Sequence, residues 1–153
     1  MPSRPQLKRG PLGPMPSAHS LLVVASSFII FALGVLHLLL TYRGTSFHPR
    51  DRELESQMKV VTPIISRETT MWRAGVGFHA SHSIGAVSFS LIYAYLALEP
   101  TQLLFKSPFL LSLGLAYLAL VAILCRLYWF RAPFWGMALA TSLYVGALIA
   151  NGA

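Results

Sequence analysis

The sequence predicts an all-α fold, a four-transmembrane-helix bundle. The 153 residues are 55% hydrophobic and only 11% charged, and their mean hydropathy is +0.61. Soluble globular chains carry about 25% charged residues. The apolar residues form four runs whose lengths suit the roughly 30 Å hydrocarbon core of a bilayer. Composition and run length together indicate an integral membrane protein.

The chain is predicted to consist of a disordered basic tail, residues 1–19, and one membrane domain, residues 20–153. The tail is rich in Pro, Gly and Ser, a composition that cannot bury enough apolar surface to fold. The predicted spans are 21–42, 74–98, 109–127 and 134–150. The first run is longer than the apolar core of about 7–15 residues in a secretory signal, and we therefore expect it to be retained.

The loop at 43–73 is predicted to contain an amphipathic lead-in to the second span. Thr62 and Pro63 have the pattern of a helix start, with Thr62 as the N-cap and Pro63 in the first turn. Glu68, with Arg67 beside it and Arg73 further along, is expected to form an ion-pair cluster that holds this loop.

The net charge of +7 indicates membrane lipids as partners, not nucleic acid. Lys and Arg residues flank the apolar runs, where they meet anionic head groups, and the sequence has no basic stripe or recognition motif. The tail and the 99–108 connection carry four of these positive charges, and the opposite side carries eight. The positive-inside rule therefore favours a cytoplasmic long loop and external termini.

Two rows of small residues, four apart, are predicted to be helix-packing faces. One is Gly77, Ser81 and Gly85, and the other is Ala138, Ser142 and Gly146. Small residues allow membrane helices to approach closely.

Three histidines are predicted to meet near one membrane face. His37 lies close to the end of the first span, while His79 and His82 lie close to the start of the second. At about 1.5 Å rise per residue, His37 and His79 would both lie roughly 7 Å inside that face, and His82 about 12 Å inside. Ionisable residues within a span face the bundle interior or water, and are candidates for function.

These histidines have three interpretations. They are neutral structural groups that hydrogen-bond Ser26, Ser81, Ser83 or a backbone carbonyl across helices. Alternatively, His37, His79 and His82 bind a transition metal or haem and leave an open coordination position, although no carboxylate within the spans is placed to orient them.

In the third interpretation, they line a pocket for a quinone, lipid or other amphiphile. A nearby arginine would then hold an anionic head group, the candidates being Arg43, Arg67, Arg73, Arg126 and Arg131. The predicted ligand-binding set is His82, His37, His79, Trp72, Arg73, Tyr42, Arg43 and Glu68.

Two segments, LHLLLTYRG (36–44) and RETTMWRAGVGFHASHSIG (67–85), resemble a family of small, uncharacterised bacterial four-helix membrane proteins. The resemblance covers about residues 34–98 and implies a four-span fold in the bacterial inner membrane. It implies no activity or catalytic residue. The family has Asn where this chain has His79, so the resemblance favours His82 as the histidine of the site.

We therefore expect an integral membrane protein, non-enzymatic, with a polar pocket at one membrane face that binds an amphiphile. A metal- or haem-dependent membrane oxidoreductase is the alternative. A small transporter comes third, because no span has an internal proline break and no inverted repeat is visible. A homo-oligomer is compatible with the sequence.

Overall fold

The computed structural model describes residues 16–152, and every regular element in that range is an α-helix. The helices are α1 (Ala18–Arg43), α2 (Arg52–Met58), α3 (Met71–Leu98), α4 (Leu103–Lys106), α5 (Pro108–Tyr128) and α6 (Arg131–Gly152). The four longest, α1, α3, α5 and α6, are long and apolar enough to cross a membrane. The predicted all-α fold with four membrane helices is confirmed, and the protein is a multi-pass membrane protein.

Each predicted span lies within one of the long helices, which extend a few residues beyond it. Residues 1–15 of the predicted tail lie outside the described range, but Ala18 and His19, also assigned to the tail, already belong to α1. The helix begins there because the Ser17 side chain accepts a hydrogen bond from the Ser20 N–H at 3.3 Å, which satisfies one free donor of the first turn.

The predicted helix start at Thr62 and Pro63 is wrong. These residues lie in a closed loop whose ends are joined by a hydrogen bond from the Met71 N–H to the Val61 carbonyl, 2.9 Å. The helix α3 begins only at Met71, where the Thr70 hydroxyl caps the Arg73 N–H at 3.3 Å. The long loop does contain a helix, but it is the seven-residue α2, whose N-cap Asp51 lies eleven residues before Thr62.

The helices α1 and α3 pack along a seam of small and polar residues. Buried positions on both helices recur at intervals of three and four, the spacing that keeps one face of a helix against its neighbour. They are Ser20, Val23, Ser27, Ile30 and Gly34 on α1, and Ala80, Ser83, Ala86, Ser90, Tyr93 and Ala97 on α3, while the remaining buried residue of α1, Ser26, bonds to Ala140 of α6. A Cβ atom at Gly34 would lie 3.2 Å from the Ala86 Cβ and 3.3 Å from the Ser83 carbonyl oxygen, so the close approach depends on glycine there.

The predicted packing row Gly77, Ser81 and Gly85 does not contact another described helix. All three residues are exposed, and a Cβ atom at either glycine would meet nothing within 4 Å. Each residue turns the helix by about 100°, so this row lies roughly 120–160° around the helix from Ser83 in the seam. On α6 the predicted row is partly correct, because Gly146 faces Leu22 of α1 while Ser142 is exposed.

The long helices lie in the order α3, α1, α6, α5, and the bundle is open between α3 and α5. The helix α1 packs against α3 and α6, and α6 packs against α5, whereas α3 and α5 hardly touch through their backbones. Side chains close this gap at the end near the α3–α5 connection. There the Tyr93 hydroxyl donates to the Leu110 carbonyl at 2.9 Å, and Phe89 stacks on Tyr117 at 4.0 Å. At the other end, called the loop end because it carries the 44–70 loop and the α5–α6 junction, the gap stays open.

Candidate functional site

The three histidines converge at the loop end. His37 lies three residues after Gly34 and His79 four residues before Ser83, so both continue the seam between α1 and α3. Their Nε2 and Nδ1 atoms are 3.2 Å apart and form a hydrogen bond. The His82 ring centroid lies 5.6 Å from that of His37. The predicted meeting of three imidazoles from two neighbouring spans is therefore present.

Aromatic side chains from two loops surround these imidazoles. Trp129, at the junction of α5 and α6, has its ring centroid 5.4 Å from His37 and lies nearly parallel to His82, at 6.0 Å and 21°. Phe47, in the long loop, stacks on His79 at 4.7 Å and 14°. Neither aromatic residue was in the predicted set. The sequence places Trp129 near the histidines, because it directly follows the third predicted span at the same end of the bundle. It gives no such indication for Phe47, because the path of a loop cannot be predicted from periodicity.

The rest of the predicted set lies elsewhere at the loop end. Trp72 is half-buried and packs edge-on against His48 at 4.7 Å, with the Lys59 ammonium 5.2 Å from its ring centroid. The other four residues are exposed: Tyr42, Arg43, Glu68 and Arg73. Trp72 therefore fixes the long loop to α3 and does not enter the histidine cluster.

The expected ion-pair cluster around Glu68 is absent from the described residues. The ion pairs there belong to Glu55 of α2, which meets Lys59 at 2.5 Å and His48 at 3.3 Å. The hydrogen bond from Lys59 lowers the pKa of the Glu55 carboxyl below its ordinary value. One helical turn separates Glu55 from Lys59, so their side chains are neighbours, whereas Glu68 lies in irregular chain before α3 begins.

A cavity of about 500 Å³ lies beside the cluster, in the gap between α3 and α5. Its walls are mostly apolar and aromatic, with Phe78 from α3, Val121 from α5 and Met137 from α6. His37 and His82 are the imidazoles among its lining residues. The site thus consists of a mostly apolar cavity with the histidine cluster at one end.

The three histidines do not form a metal-ligand group. Within residues 16–152, no three His, Cys, Asp or Glu side chains are arranged to hold a metal ion. The facing nitrogens of His37 and His79 instead bond to each other. The described donor set therefore does not support the predicted three-histidine metal site of His37, His79 and His82.

The serines that were expected to partner the histidines bond to backbone carbonyls instead. Ser26 donates to Ala140 at 2.8 Å, Ser81 to Phe78 at 3.0 Å and Ser83 to the His79 carbonyl at 2.9 Å. Ser26 bonds across the bundle to α6, whereas Ser81 and Ser83 reach carbonyls one turn earlier on α3, and such a local bond competes with a bond to another helix. The polar link between α1 and α3 at the loop end is therefore the histidine pair.

No family model, curated protein or solved structure matches this chain.

The hydrogen-bonded histidine pair always presents one donor and one acceptor when both rings are neutral. If His79 Nδ1–H donates to His37 Nε2, His37 carries its free N–H on Nδ1 and His79 has a free acceptor. If His37 Nε2–H donates, the free donor is His79 Nε2–H. His82 adds one further donor and one acceptor, and the Trp129 indole adds a donor. The cluster can therefore bind a neutral polar group without any change of charge.

Proposed function

We propose that this chain is a non-enzymatic membrane protein that binds an amphiphile in the cavity between α3 and α5. The observation that carries the proposal is the position of the cavity, which extends from the histidine cluster into the gap between two spans. Its volume of about 500 Å³ lies within the roughly 300–1,000 Å³ of small-molecule sites.

The open side of the cavity suits a ligand that is already dissolved in the membrane. Because α3 and α5 separate at the loop end, an apolar tail can reach the chamber from the lipid without crossing water. The tail would pack against Phe78, Val121 and Met137, while the head would lie against His37 and His82. A mostly apolar wall with a few polar groups at one end is the usual plan of a ligand pocket.

The proposed location is a bacterial inner membrane, with the long loop in the cytoplasm and the termini outside. The resemblance described above supports the membrane, and the excess of Lys and Arg at the loop end supports the orientation. The cavity would then open in the cytoplasmic leaflet. Labelling of single cysteines introduced at Ser56 in α2 and at Thr101 near α4, in a Cys125→Ser background, tests this with a membrane-impermeant reagent. Labelling of the Thr101→Cys variant alone in intact cells is expected, and labelling of the Ser56→Cys variant would contradict the orientation.

A matched pair of substitutions on α5 tests the binding function. Leu124 and Leu120, one turn earlier, are both exposed, but only Leu124 lines the cavity. Leu124→Trp should fill part of the chamber and reduce the amount of amphiphile that co-purifies with the protein, as measured by mass spectrometry of extracted lipids. Leu120→Trp should leave it unchanged. Equal retention by both variants, or no species enriched over bulk lipid in the unaltered protein, would contradict the proposal.

A further inference from the structure

The polar groups around the cavity are all uncharged or weakly basic. Among the described lining residues none is Asp, Glu, Lys or Arg. The polar side chains there are His37, His82, Tyr117, Cys125, Tyr128 and Trp129. The chamber therefore contains hydrogen-bonding groups but no fixed counter-charge from the described chain.

The arginines expected to hold an anionic head group lie outside this lining. All five are exposed at the loop end: Arg43, Arg67, Arg73, Arg126 and Arg131. A phosphate or carboxylate drawn into the chamber would lose its hydration without gaining a cation, which is strongly unfavourable in an apolar site. A neutral carbonyl needs only one N–H donor to be satisfied there.

His37 can supply this donor because its Nε2 atom is hydrogen-bonded to His79, which leaves its Nδ1 atom free. His37 lines the cavity, whereas His79 does not. When His79 Nδ1–H donates to His37 Nε2, the free N–H of the pair is therefore on the ring that lines the cavity. His82 and Trp129 lie within 6.0 Å of each other, centroid to centroid, and both line the same chamber. Their nearly parallel rings provide flat surfaces for a planar head.

From this geometry we infer that the site takes an amphiphile with a neutral, carbonyl-bearing head, of the quinone class, and discriminates against phospholipids and fatty acids. The inference rests on the proposed function, because it names the ligand class of the same cavity. In this arrangement His37 and His82 donate to the head group, His79 is a positioning residue for His37, and Trp129 packs on the ring of the head.

The fluorescence of Trp129 provides a measure of ligand binding. The chain contains three tryptophans, and Trp72→Phe with Trp135→Phe leaves only the one that lines the cavity. A quinone with a short alkyl chain quenches a nearby indole, so its binding to the purified protein in detergent is followed as saturable loss of fluorescence. Two non-quenching probes with the same chain, an alkyl phosphate and an alkylbenzene, are measured by their ability to displace the quinone.

We expect the quinone to bind at least about tenfold more tightly than the alkyl phosphate, a difference of about 1.4 kcal/mol. The alkylbenzene should bind more weakly than the quinone because it has no acceptor. His37→Leu combined with His82→Leu should abolish the difference between quinone and alkylbenzene. His19→Leu, at the opposite end of the bundle, is the control and should preserve it.

The outcomes separate the two proposals. If the alkyl phosphate binds as tightly as the quinone or more tightly, the neutral-head inference is wrong and the amphiphile site remains. If the quinone–alkylbenzene difference persists in the double variant, the two histidines are not the donors and the inference fails in that form. If the quinone does not bind saturably but an amphiphile is still enriched over bulk lipid in the unaltered protein, only the inference is wrong. If the quinone does not bind and no amphiphile is enriched, both the inference and the proposed function are wrong.

Discussion

His37 on α1 and His79 on α3 form a hydrogen bond at 3.2 Å, in the last layer of the seam between these two helices. The pair therefore has two roles in the same geometry. It holds the loop ends of two spans together, and it fixes the orientation of the imidazole that lines the cavity. Stability and ligand recognition should consequently respond to the same substitution in different degrees.

Substitutions at His79 distinguish these roles. His79→Leu removes the bond to His37, and should lower the free energy of unfolding by about 0.6–2 kcal/mol, the usual range for a hydrogen bond between membrane helices. His79→Asn keeps a donor and an acceptor, and should retain most of the stability. Unfolding in mixed micelles with increasing SDS measures both. Equal losses in the two variants would show that the hydrogen bond contributes nothing to the seam.

The seam should tolerate no side chain at Gly34. Gly34→Leu places its Cβ 3.1 Å from Val87 Cγ2 and 3.3 Å from the Ser83 carbonyl oxygen, so α1 and α3 must separate. We expect a loss of about 1–3 kcal/mol, as for other overpacked interiors. Gly85→Leu is the matched control on α3, because nothing lies within 4 Å of a Cβ there. The same SDS titration applies, and comparable losses at both positions would contradict the described seam.

The Tyr93 hydrogen bond at the closed end of the gap should be required to hold α5 in place. Tyr93→Phe removes the hydrogen bond to the Leu110 carbonyl but keeps the ring, and should lower stability by about 0.5–1.5 kcal/mol. Tyr95→Phe, exposed on the same helix, should have no effect. Unfolding in mixed micelles with increasing SDS measures both variants. Unchanged stability in Tyr93→Phe would show that this bond is not needed.

The loop helix α2 should loosen in acid. The pKa of Glu55 is lowered mainly by the hydrogen bond from Lys59, so its deprotonated form favours the folded loop above the ordinary Glu value of 4.5. This contribution is lost as the pH falls below that value through the lowered pKa. Hydrogen exchange of the α2 amides, corrected for the intrinsic effect of pH, should therefore accelerate at low pH. Glu55→Gln should remove this dependence and Glu53→Gln should not; acid loosening that persists in Glu55→Gln would contradict the assignment.

Much of the site could be predicted because helical spacing is visible in the chain. His37, His79 and His82 occur near the adjoining ends of consecutive spans, and antiparallel neighbours must bring such ends together. The spacing did not show which face of α3 packs, since both the Gly77 row and the Ser83 row consist of small residues. Lipid and a neighbouring helix are both apolar, so hydrophobicity does not mark the buried side of a membrane helix as it does in water.

The sequence by itself determined that four apolar helices cross the membrane and that His37, His79 and His82 gather at one end, because both follow from run length and helical rise. Only the tertiary structure decided that α1 is central, that α3 and α5 part at the loop end, and that Trp129 and Phe47 enclose the imidazoles. The physical reason is that lateral packing in lipid depends on fitted shapes, such as Gly34 against Ala86, and on the path of loops. Neither has a period that can be read along the chain.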